Sequence, residues 1–471
     1  MSVLHSFAPQ RVLYYFEELC KIPHGSGNTK RISDYCVSVA NHLGLWVRQD
    51  QFNNVIIKKP ASAGYETHPT VLIQGHLDMV CEKDPDCDLD FAKDGLRLAT
   101  DGEWIFAKGT TLGGDDGIAV AMALAVLEDN TLAHPPIEAV FTTDEETGMD
   151  GAQGIDVSDL EGKLLLNIDS ECEGVLTVSC AGGARAELTV PLTQTENALP
   201  CKKVSFRGLR GGHSGVEIDK GRINADILMG EFLNRLPLPY ALISMEGGTK
   251  DNAIPAHCQC ILATSEDMTA FAESFAAEHR PETDGGLVLE ITDAEFSNLC
   301  FDETSTRAAA RFLTTLPNGV QSMSKDIEGL VQTSLNLGQL RTDSQTLTAT
   351  FSVRSSVEEE KKALLQQLNR ITLSFGGTFD TRGDYPAWEY KQDSVLRDTM
   401  IRVYRERYGA SPVVEAIHAG LECGFFCQKI PGLDAVSFGP DMRDIHTPSE
   451  KLSISSVQRT YEYLCHILKE L

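Results

Sequence analysis

The chain has 471 residues, which exceeds the size at which a single hydrophobic core stops growing, so two domains are expected. Hydrophobic residues make up 42% of the chain and charged residues 23%, as in an ordinary globular protein. Its formal net charge of -27 repels phosphate backbones and anionic lipid surfaces, which argues against nucleic acid and membranes as partners.

The N-terminus and the cysteines both predict a cytoplasmic protein. The N-terminus lacks the basic segment, apolar core and cleavage site of a signal peptide, and no apolar run reaches the length of a membrane span. The 13 cysteines are odd in number and scattered, which favours reduced thiols over disulfides. Two close pairs, Cys81 with Cys87 and Cys258 with Cys260, lack metal or redox spacing and are interpreted as packing residues.

The first block of the chain, up to about Gly183, alternates helices with short apolar strands, which predicts an α/β fold. Helices are predicted over residues 14–20 and 29–43 and after Gly117, where the apolar run IAVAMALAVLED indicates a buried helix. Strands are predicted over residues 54–58, 70–74, 137–142 and 164–168.

The next block, residues 184–385, changes character to antiparallel strands with amphipathic helices, and it shows no persuasive short-period repeat. From about residue 386 the first pattern returns, with a helix over residues 396–408 and the apolar strand LDAVSFGP. Residues 1–183 and 386–471 are therefore expected to form one discontinuous catalytic domain, interrupted by an inserted α+β domain over residues 184–385.

Polar side chains follow three predicted strands of the first block. His76 and Asp78 follow one strand, Glu145 and Glu146 follow another, and Asp169 follows a third. Open sheets gather ligands outside the carboxyl ends of their strands, so these side chains are expected to lie close together. Any one motif alone would fit a solvated loop, whereas their joint placement favours a shared site.

Two further residues extend this set. Asp115 lies in the glycine-rich segment GTTLGGDDGIA, and His446 lies in the loop after the last predicted strand. The candidate metal ligands are then His76, Asp115, Glu146, Asp169 and His446. Histidines and carboxylates without cysteine are typical of a catalytic site for zinc or related ions. Because one zinc usually takes three protein ligands, five ligands with one bridging carboxylate predict two ions, with Asp115 as the bridge.

Asp78 and Glu145 remain for other roles. Asp78 is expected to accept a hydrogen bond from the His76 ring nitrogen that does not bind metal. Adjacent side chains of an extended segment point opposite ways, so Glu146 is expected to face a metal and Glu145 the cleft, as general base and then general acid. Asp144 is interpreted as a turn residue.

The motifs GHLDMV, GTTLGGDDGIAVAMALAVLED, TTDEETGMDGA, LLLNIDSECEG, GLRGGHSGVEI, NAIP and HAGLECG resemble the aminoacyl-histidine dipeptidases, also called Xaa-His dipeptidase or peptidase D. These belong to the di-zinc exopeptidases, with glutamate carboxypeptidase, aminoacylase and the carnosinases. The resemblance implies an α/β catalytic domain, with a mixed sheet flanked by helices, that carries an inserted α+β lid or dimerisation domain.

The resemblance also implies roles for individual residues. One metal is held by His76 and Asp169 and the other by Glu146 and His446, with Asp115 bridging, Glu145 as acid and base and Asp78 as the residue that orients the histidine. A departure is Asp116, where relatives often carry Asn.

For the inserted domain, the resemblance implies that His213 stabilises the developing oxyanion and that Asn252 and Arg354 bind the substrate carboxylate. Gly420 and Glu422 are expected to line the substrate side of the cleft.

The implied activity is hydrolysis of Xaa-His dipeptides, including β-alanyl-histidine, and of other dipeptides, by water activated between two divalent ions. Zinc is favoured, with cobalt or manganese as alternatives, and a homodimer is expected. Related amidohydrolases such as a tripeptidase or an aminoacylase remain open. A non-catalytic binding protein would lack some ligand positions, and because every one is filled here, the sequence argues against it. Cys423 lies near His418 and would suit a thiol nucleophile, but no further signature of a cysteine peptidase accompanies it.

Overall fold

The computed structural model describes residues 2–279, 284 and 286–471, and its internal contacts divide the chain into two compact units. The first unit comprises Met1–Ser179, Tyr390–Ala416 and Glu422–Leu471. The second comprises Cys180–Glu389 and the short segment Ile417–Leu421. Both boundaries fall within a few residues of the expected ones, except that residues 417–421 had been placed in the first unit. That the units act as a catalytic domain and a lid stays a prediction.

Helices and strands are numbered in chain order. The helices are α1 (Gln10–Cys20), α2 (Lys30–His42), α3 (Gly114–Glu128), α4 (Glu145–Gly148), α5 (Asp150–Gly154), α6 (Ala225–Arg235), α7 (Thr269–Glu278), α8 (Glu303–Thr315), α9 (Glu358–Ser374), α10 (Val395–Tyr408), α11 (Cys423–Lys429) and α12 (Ile454–Glu470). The strands of the first block are β1 (Trp46–Gln49), β2 (Val55–Lys59), β3 (Val71–His76), β4 (Leu98–Thr100), β5 (Trp104–Ala107), β6 (Ile137–Thr142), β7 (Leu164–Asn167) and β8 (Val175–Cys180).

The strands that follow are β9 (Gly182–Pro191), β10 (Gln194–Glu196), β11 (Cys201–Arg207), β12 (Gly212–His213), β13 (Ala241–Gly247), β14 (Ala253–Ile254), β15 (Cys258–Ala263), β16 (Val288–Asp293), β17 (Leu299–Phe301), β18 (Gly319–Met323), β19 (Val331–Thr342), β20 (Thr346–Ser355), β21 (Thr378–Tyr385), β22 (Val413–Ile417), β23 (Asp434–Ser437), β24 (Met442–Arg443) and β25 (Lys451–Ser453).

The first unit is built on a mixed eight-stranded sheet in the order β1-β2-β6-β3-β7-β23-β8-β22. The central strands β6, β3, β7 and β23 run parallel to one another. Parallel strands buried on both faces read as continuous apolar runs, and β3 and β6 are buried at every position. The helix α3, apolar on nearly all sides as the sequence predicts, is buried against β3 and α1.

The predicted helices and strands of the first unit are confirmed, with ends that shift by a few residues. The sequence analysis missed the strands β1, β4, β5, β8, β22, β24 and β25, the short helices α4, α5 and α11, and the C-terminal helix α12. This helix carries the apolar spacing that its burial requires, with Ile454, Val457, Leu464 and Ile467 on the buried face.

The second unit contains an internal structural repeat. Strands β11, β13, β15 and β16, with α6 and α7, follow the order β-α-β-β-α-β and lie in the sheet as β16-β11-β15-β13. Strands β9, β19, β20 and β21, with α8 and α9, follow the same order and lie as β21-β9-β20-β19. The two halves have the same strand arrangement, and β13 joins β19 to make one nine-stranded sheet, whose ninth strand, β18, pairs with β19.

One continuous apolar core stabilises this unit. It includes phenylalanines from both halves of the repeat: Phe206, Phe232, Phe275, Phe301, Phe312 and Phe351. Three of them, Phe206, Phe232 and Phe275, pack against one another with ring centroids 5.3 to 6.0 Å apart. Both halves therefore share one core.

None of the 13 cysteines, which all lie within the described residues, forms a disulfide bond. Cys258 and Cys260 are buried on β15, which confirms their interpretation as packing residues. That interpretation was wrong for Cys81 and Cys87, because Cys81 is exposed and Cys87 is only partly buried. Over residues 2–279, 284 and 286–471, no helix is both long and apolar enough to span a bilayer.

Candidate active site

The candidate site of the first unit lies at the carboxyl ends of four adjacent strands, β6, β3, β7 and β23. His76 is the last residue of β3 and pairs with Thr142, the last residue of β6. Glu145 and Glu146 follow β6, Asp169 follows β7, and His446 lies in the loop after β23. The strand order thus explains why residues far apart in sequence come together.

Asp115 lies between the two histidines. Its Oδ1 atom is 3.0 Å from His76 Nε2, and its Oδ2 atom is 3.2 Å from His446 Nε2. The backbone allows this position because Gly113 has a φ of 66° and Asp115 itself departs from helical geometry. Each carboxylate oxygen of Asp115 therefore faces a different histidine.

The remaining ligand candidates divide between these histidines. Asp169 Oδ1 lies 4.0 Å from His76 Nε2, and Glu146 Oε1 lies 3.0 Å from His446 Nε2. Among the described residues, three groups could each hold a metal ion. They are His76 with Asp116 and Asp169, His76 with Glu145 and Glu146, and Asp115 with Glu146 and His446.

Asp116 joins one of these groups although the sequence analysis gave it no role. Its side chain is fully buried, its Oδ2 accepts a hydrogen bond from the His76 main chain at 3.2 Å, and its Oδ1 has no hydrogen-bond partner among the described residues. The only sequence signal was its place beside Asp115 in GGDDG. That signal did not show whether Asp116 binds a metal ion itself or only positions the residues that do.

The electrostatics of the cluster fit divalent cations. Burial raises the pKa of Asp169 well above its usual value, and Asp116 and Asp115 raise it further. Burial likewise raises the pKa of Glu145 to about 8. Carboxylates buried together repel one another unless cations offset their charge, and oxygen and imidazole donors are the ligands that zinc-like ions prefer.

Asp78 holds the segment that carries Glu145 and Glu146. Its carboxylate is fully buried and accepts hydrogen bonds from the main-chain N–H of Glu145 at 3.1 Å and of Glu146 at 3.4 Å. It also accepts a hydrogen bond from the Ser26 hydroxyl at 2.8 Å. Sequence reasoning missed Ser26, which lies far from any strand end.

The contact between Asp78 and His76 differs from the expectation. His76 Nδ1 lies 3.0 Å from the main-chain oxygen of Asp78 and 3.5 Å from its carboxylate. The main-chain carbonyl is therefore the closer partner of the ring. The carboxylate instead serves mainly the turn after β6.

The extended conformation expected for the paired glutamates is wrong. Asp144 has a φ of 57°, and Glu145 begins the short helix α4. The Asp144 side chain accepts a hydrogen bond from the Gly27 N–H at 2.6 Å, which fits its interpretation as a turn residue. Glu145 and Glu146 therefore lie on a helical turn, and both belong to one candidate metal group with His76.

In the second unit, His213 is held as a neutral hydrogen-bond donor. Its Nδ1 accepts hydrogen bonds from the N–H groups of Gly215 at 3.1 Å and Val216 at 3.3 Å, so its proton is on Nε2. Burial lowers the pKa of His213, and the charge of Arg354 lowers it further.

Asn252 lies in the turn before β14, which pairs with β12 so that His213 faces Ala253. Its main-chain oxygen accepts a hydrogen bond from Ser214 at 2.9 Å, and its side chain is exposed. Arg354 lies on β20, opposite Ser334 of β19. It is not an edge residue, since β20 has a partner strand on each side.

Three residues of HAGLECG have buried side chains: His418, Glu422 and Cys423. His418 donates or accepts a hydrogen bond with the Ser334 hydroxyl at 2.7 Å, and burial lowers its pKa to about 4. Glu422 accepts hydrogen bonds from Gln74 and Thr142, each at 2.6 Å. Glu422 is fully buried in the first unit, and its expected place on the substrate side of the cleft stays a prediction.

Gly420 is partly buried in the segment Ile417–Leu421 of the second unit, and its role stays a prediction. Cys423 is fully buried at the start of α11, and burial of this kind is typical of an inert structural thiol.

Comparison with known proteins identifies relatives over the whole chain. The sequence profile described as peptidase family M20/M25/M40 matches residues 72–470. The cytosol non-specific dipeptidase of Escherichia coli is 35% identical over 100% of this chain and 99% of its own length.

Solved structures of similar proteins also match nearly the whole chain. The aminoacylhistidine dipeptidase of Vibrio alginolyticus superposes with a TM-score of 0.94 at 35% identity, covering 99% of this chain and 98% of that one. A tripeptidase from Staphylococcus aureus has a TM-score of 0.57 at 16% identity, covering 98% of each chain, which indicates a shared fold alone.

Proposed function

This chain belongs to peptidase family M20/M25/M40 and is a dipeptidase of that family, and we propose that it cleaves Xaa-His dipeptides, including β-alanyl-histidine, with two divalent ions and Glu145 as the proton carrier. The aminoacylhistidine dipeptidase supports the Xaa-His substrates, and the name of the E. coli relative supports activity on other dipeptides as well.

The observation that carries the two-ion proposal is the position of Asp115, with one carboxylate oxygen toward each histidine. His76 and Asp169 would hold one ion, Glu146 and His446 the other, and Asp115 would bridge them. Bound ions of this kind polarise a substrate carbonyl and make water a stronger nucleophile near neutral pH. We favour zinc because imidazole and carboxylate ligands suit it, with cobalt or manganese as alternatives.

Glu145 moves the proton in this scheme. Its carboxylate takes a proton from the attacking water and returns it to the leaving amine. Asp78 positions it by holding the N–H groups at the start of α4. Glu145 is partly buried and belongs to a candidate metal group with His76 and Glu146, but it is not needed for the Asp115 bridge, which supports this assignment.

We propose roles in substrate binding and catalysis for three residues of the second unit. The Nε2–H of His213 donates a hydrogen bond to the carbonyl oxygen as negative charge develops there. Arg354 and Asn252 bind the C-terminal carboxylate of the substrate. The neutral donor form of His213 and the charge of Arg354 support these roles.

Kinetics on three substrate classes test the proposal. We expect kcat/KM to be highest for Xaa-His dipeptides, lower for tripeptides and lowest for N-acyl amino acids. A preference for tripeptides or N-acyl amino acids would instead identify a tripeptidase or an aminoacylase with the same metal site.

Two further proposals concern the whole protein. We place it in the cytoplasm, as the name of the E. coli relative suggests. We also expect a homodimer, which light scattering would measure as twice the mass of the 51.5 kDa chain.

A further inference from the structure

Arg354 and Tyr385 lie on either side of one glycine in the sheet of the second unit. Gly183 on β9 is opposite Arg354 on β20 and opposite Tyr385 on β21. A Cβ atom at Gly183 would lie 2.4 Å from the Tyr385 hydroxyl oxygen and 2.5 Å from the ring carbon that bears it. The glycine therefore leaves the space through which the tyrosine side chain crosses β9.

The crossing ends in a hydrogen bond. Arg354 Nη1 donates to the Tyr385 hydroxyl at 3.0 Å. A long arginine side chain has many rotamers, so a fixed partner reduces the entropy lost when the guanidinium binds a ligand.

Tyr385 is itself anchored from the helix side. Lys361 on α9 is 1% exposed, and its Nζ donates to the main-chain oxygen of Tyr385 and to Asp384, each at 2.7 Å. Glu358 lies 3.1 Å from the same nitrogen. A buried lysine requires such partners, and here they fix the end of β21.

The guanidinium of Arg354 is not engaged by a carboxylate of the described chain and can therefore pair with a bound anion. Among the described residues no carboxylate forms an ion pair with it, and its Nε has no hydrogen-bond partner. Its charge lowers the pKa of both His213 and His418 beyond the effect of burial, so these neighbours are neutral rather than competing cations. A charged arginine held by a neutral hydroxyl is suited to bind an anion.

We propose that Tyr385 is a positioning residue for substrate binding, which holds Arg354 in the orientation that receives the C-terminal carboxylate of the dipeptide, and that Lys361 fixes Tyr385 in turn. This inference rests on the carboxylate-binding role proposed above for Arg354. Tyr385 acts through Arg354 and touches no reacting atom.

The test compares a dipeptide with its C-terminal amide in wild-type protein and in Tyr385→Phe. Loss of a hydrogen bond to a charged group should raise KM for the dipeptide by about tenfold. We expect kcat and metal content to stay within about twofold of wild type, and kcat/KM for the amide to be unchanged, since the amide has no carboxylate. Tyr240→Phe is the matched control, because it removes a tyrosine hydroxyl bonded to a main-chain oxygen in the same unit.

Arg354→Ala separates the inference from the proposed function. If this variant leaves KM for the dipeptide unchanged, the proposed role of Arg354 fails, and the inference with it. If Arg354→Ala raises KM but Tyr385→Phe does not, only the positioning role is overturned. If Tyr385→Phe raises KM equally for the dipeptide and its amide, or lowers kcat alone, the positioning role of Tyr385 is also overturned.

Discussion

Glu145 and Glu146 are neighbours in sequence with different surroundings. Glu146 Oε1 lies 3.0 Å from His446 Nε2, whereas the pKa of Glu145 is raised to about 8, mainly by burial. A carboxyl group that binds protons near neutral pH is suited to proton transfer, and one that faces a histidine ligand is suited to hold a cation.

We therefore predict that the two alanine variants differ. Glu145→Ala should keep close to two metal ions per chain and lose turnover by at least about a hundredfold, the size typical of general acid and base catalysis. Glu146→Ala should lose metal as well. Elemental analysis and a dipeptide assay measure both effects, and equal metal loss in the two variants would contradict the division of roles.

Ser26 gives a second prediction at this scale. Its hydroxyl donates to the Asp78 carboxylate, which in turn accepts from the N–H groups of Glu145 and Glu146. Substitutions of such supporting partners cost about 10-fold to 100-fold in activity, so Ser26→Ala should lower kcat by about tenfold. Ser26→Thr keeps the hydroxyl and should restore most of it. Equal loss in both variants would show that the hydrogen bond is not the cause.

The sequence allowed most of the candidate ligands to be predicted, because carboxyl ends of neighbouring strands meet at one edge of a sheet. It gave no role to Asp116, although the buried carboxylate of this residue belongs to a candidate metal group with His76 and Asp169. It also could not show that Glu422 is buried beside Gln74, because that contact joins residues 348 positions apart.

At the scale of elements, segments that are apolar along their whole length were predicted well, whereas the amphipathic helix α12 and several short elements were missed. Helix α3 and strand β6 are buried along nearly their whole length, so their composition alone indicates them. The four residues of α4 contain no apolar side chain, and the N–H groups at its start are bonded to Asp78 from a distant loop. A turn fixed by such a contact has no local sequence signal.

The repeat within the second unit was not predictable for a related reason. Its two halves share a strand order, but one half is inserted between β9 and α8 of the other. Topology is kept by the pattern of burial, which many sequences satisfy, so no sequence period need remain.

His418 forms a hydrogen bond with Ser334 and so links the segment Ile417–Leu421 to β19. Its burial leads to a prediction about how stability depends on pH. Its pKa in the folded chain is about 4, against an ordinary value of 6.5, because burial disfavours its charged form. Between these values the unfolded chain binds the proton and the folded chain does not, so the free energy of unfolding falls as pH drops from about 6.5 to 4. The full effect is about 3 kcal/mol.

Urea unfolding of wild type and His418→Gln at several pH values measures how much the free energy of unfolding falls as the pH drops. The variant should lose less stability than wild type across that window, and the exposed His257→Gln serves as the control from the same unit. Parallel curves for wild type and His418→Gln would contradict the prediction.

At the scale of the whole molecule, the chain has a net charge of -27 and gathers several buried or partly buried carboxylates at one sheet edge. Such a cluster is costly without cations, which is why a metal site explains more of the structure than a surface acidic loop would. The family of the chain and the placement of Asp115 lead to the same conclusion.

Stoichiometric metal readdition tests this account most directly. The protein is freed of metal with a chelator, zinc is added in steps, and hydrolysis of an Xaa-His dipeptide is measured at each step. We predict that the metal-free chain is inactive and that activity reaches its plateau at two ions per chain. Full activity without metal, or a plateau at one ion per chain, would contradict the two-ion mechanism.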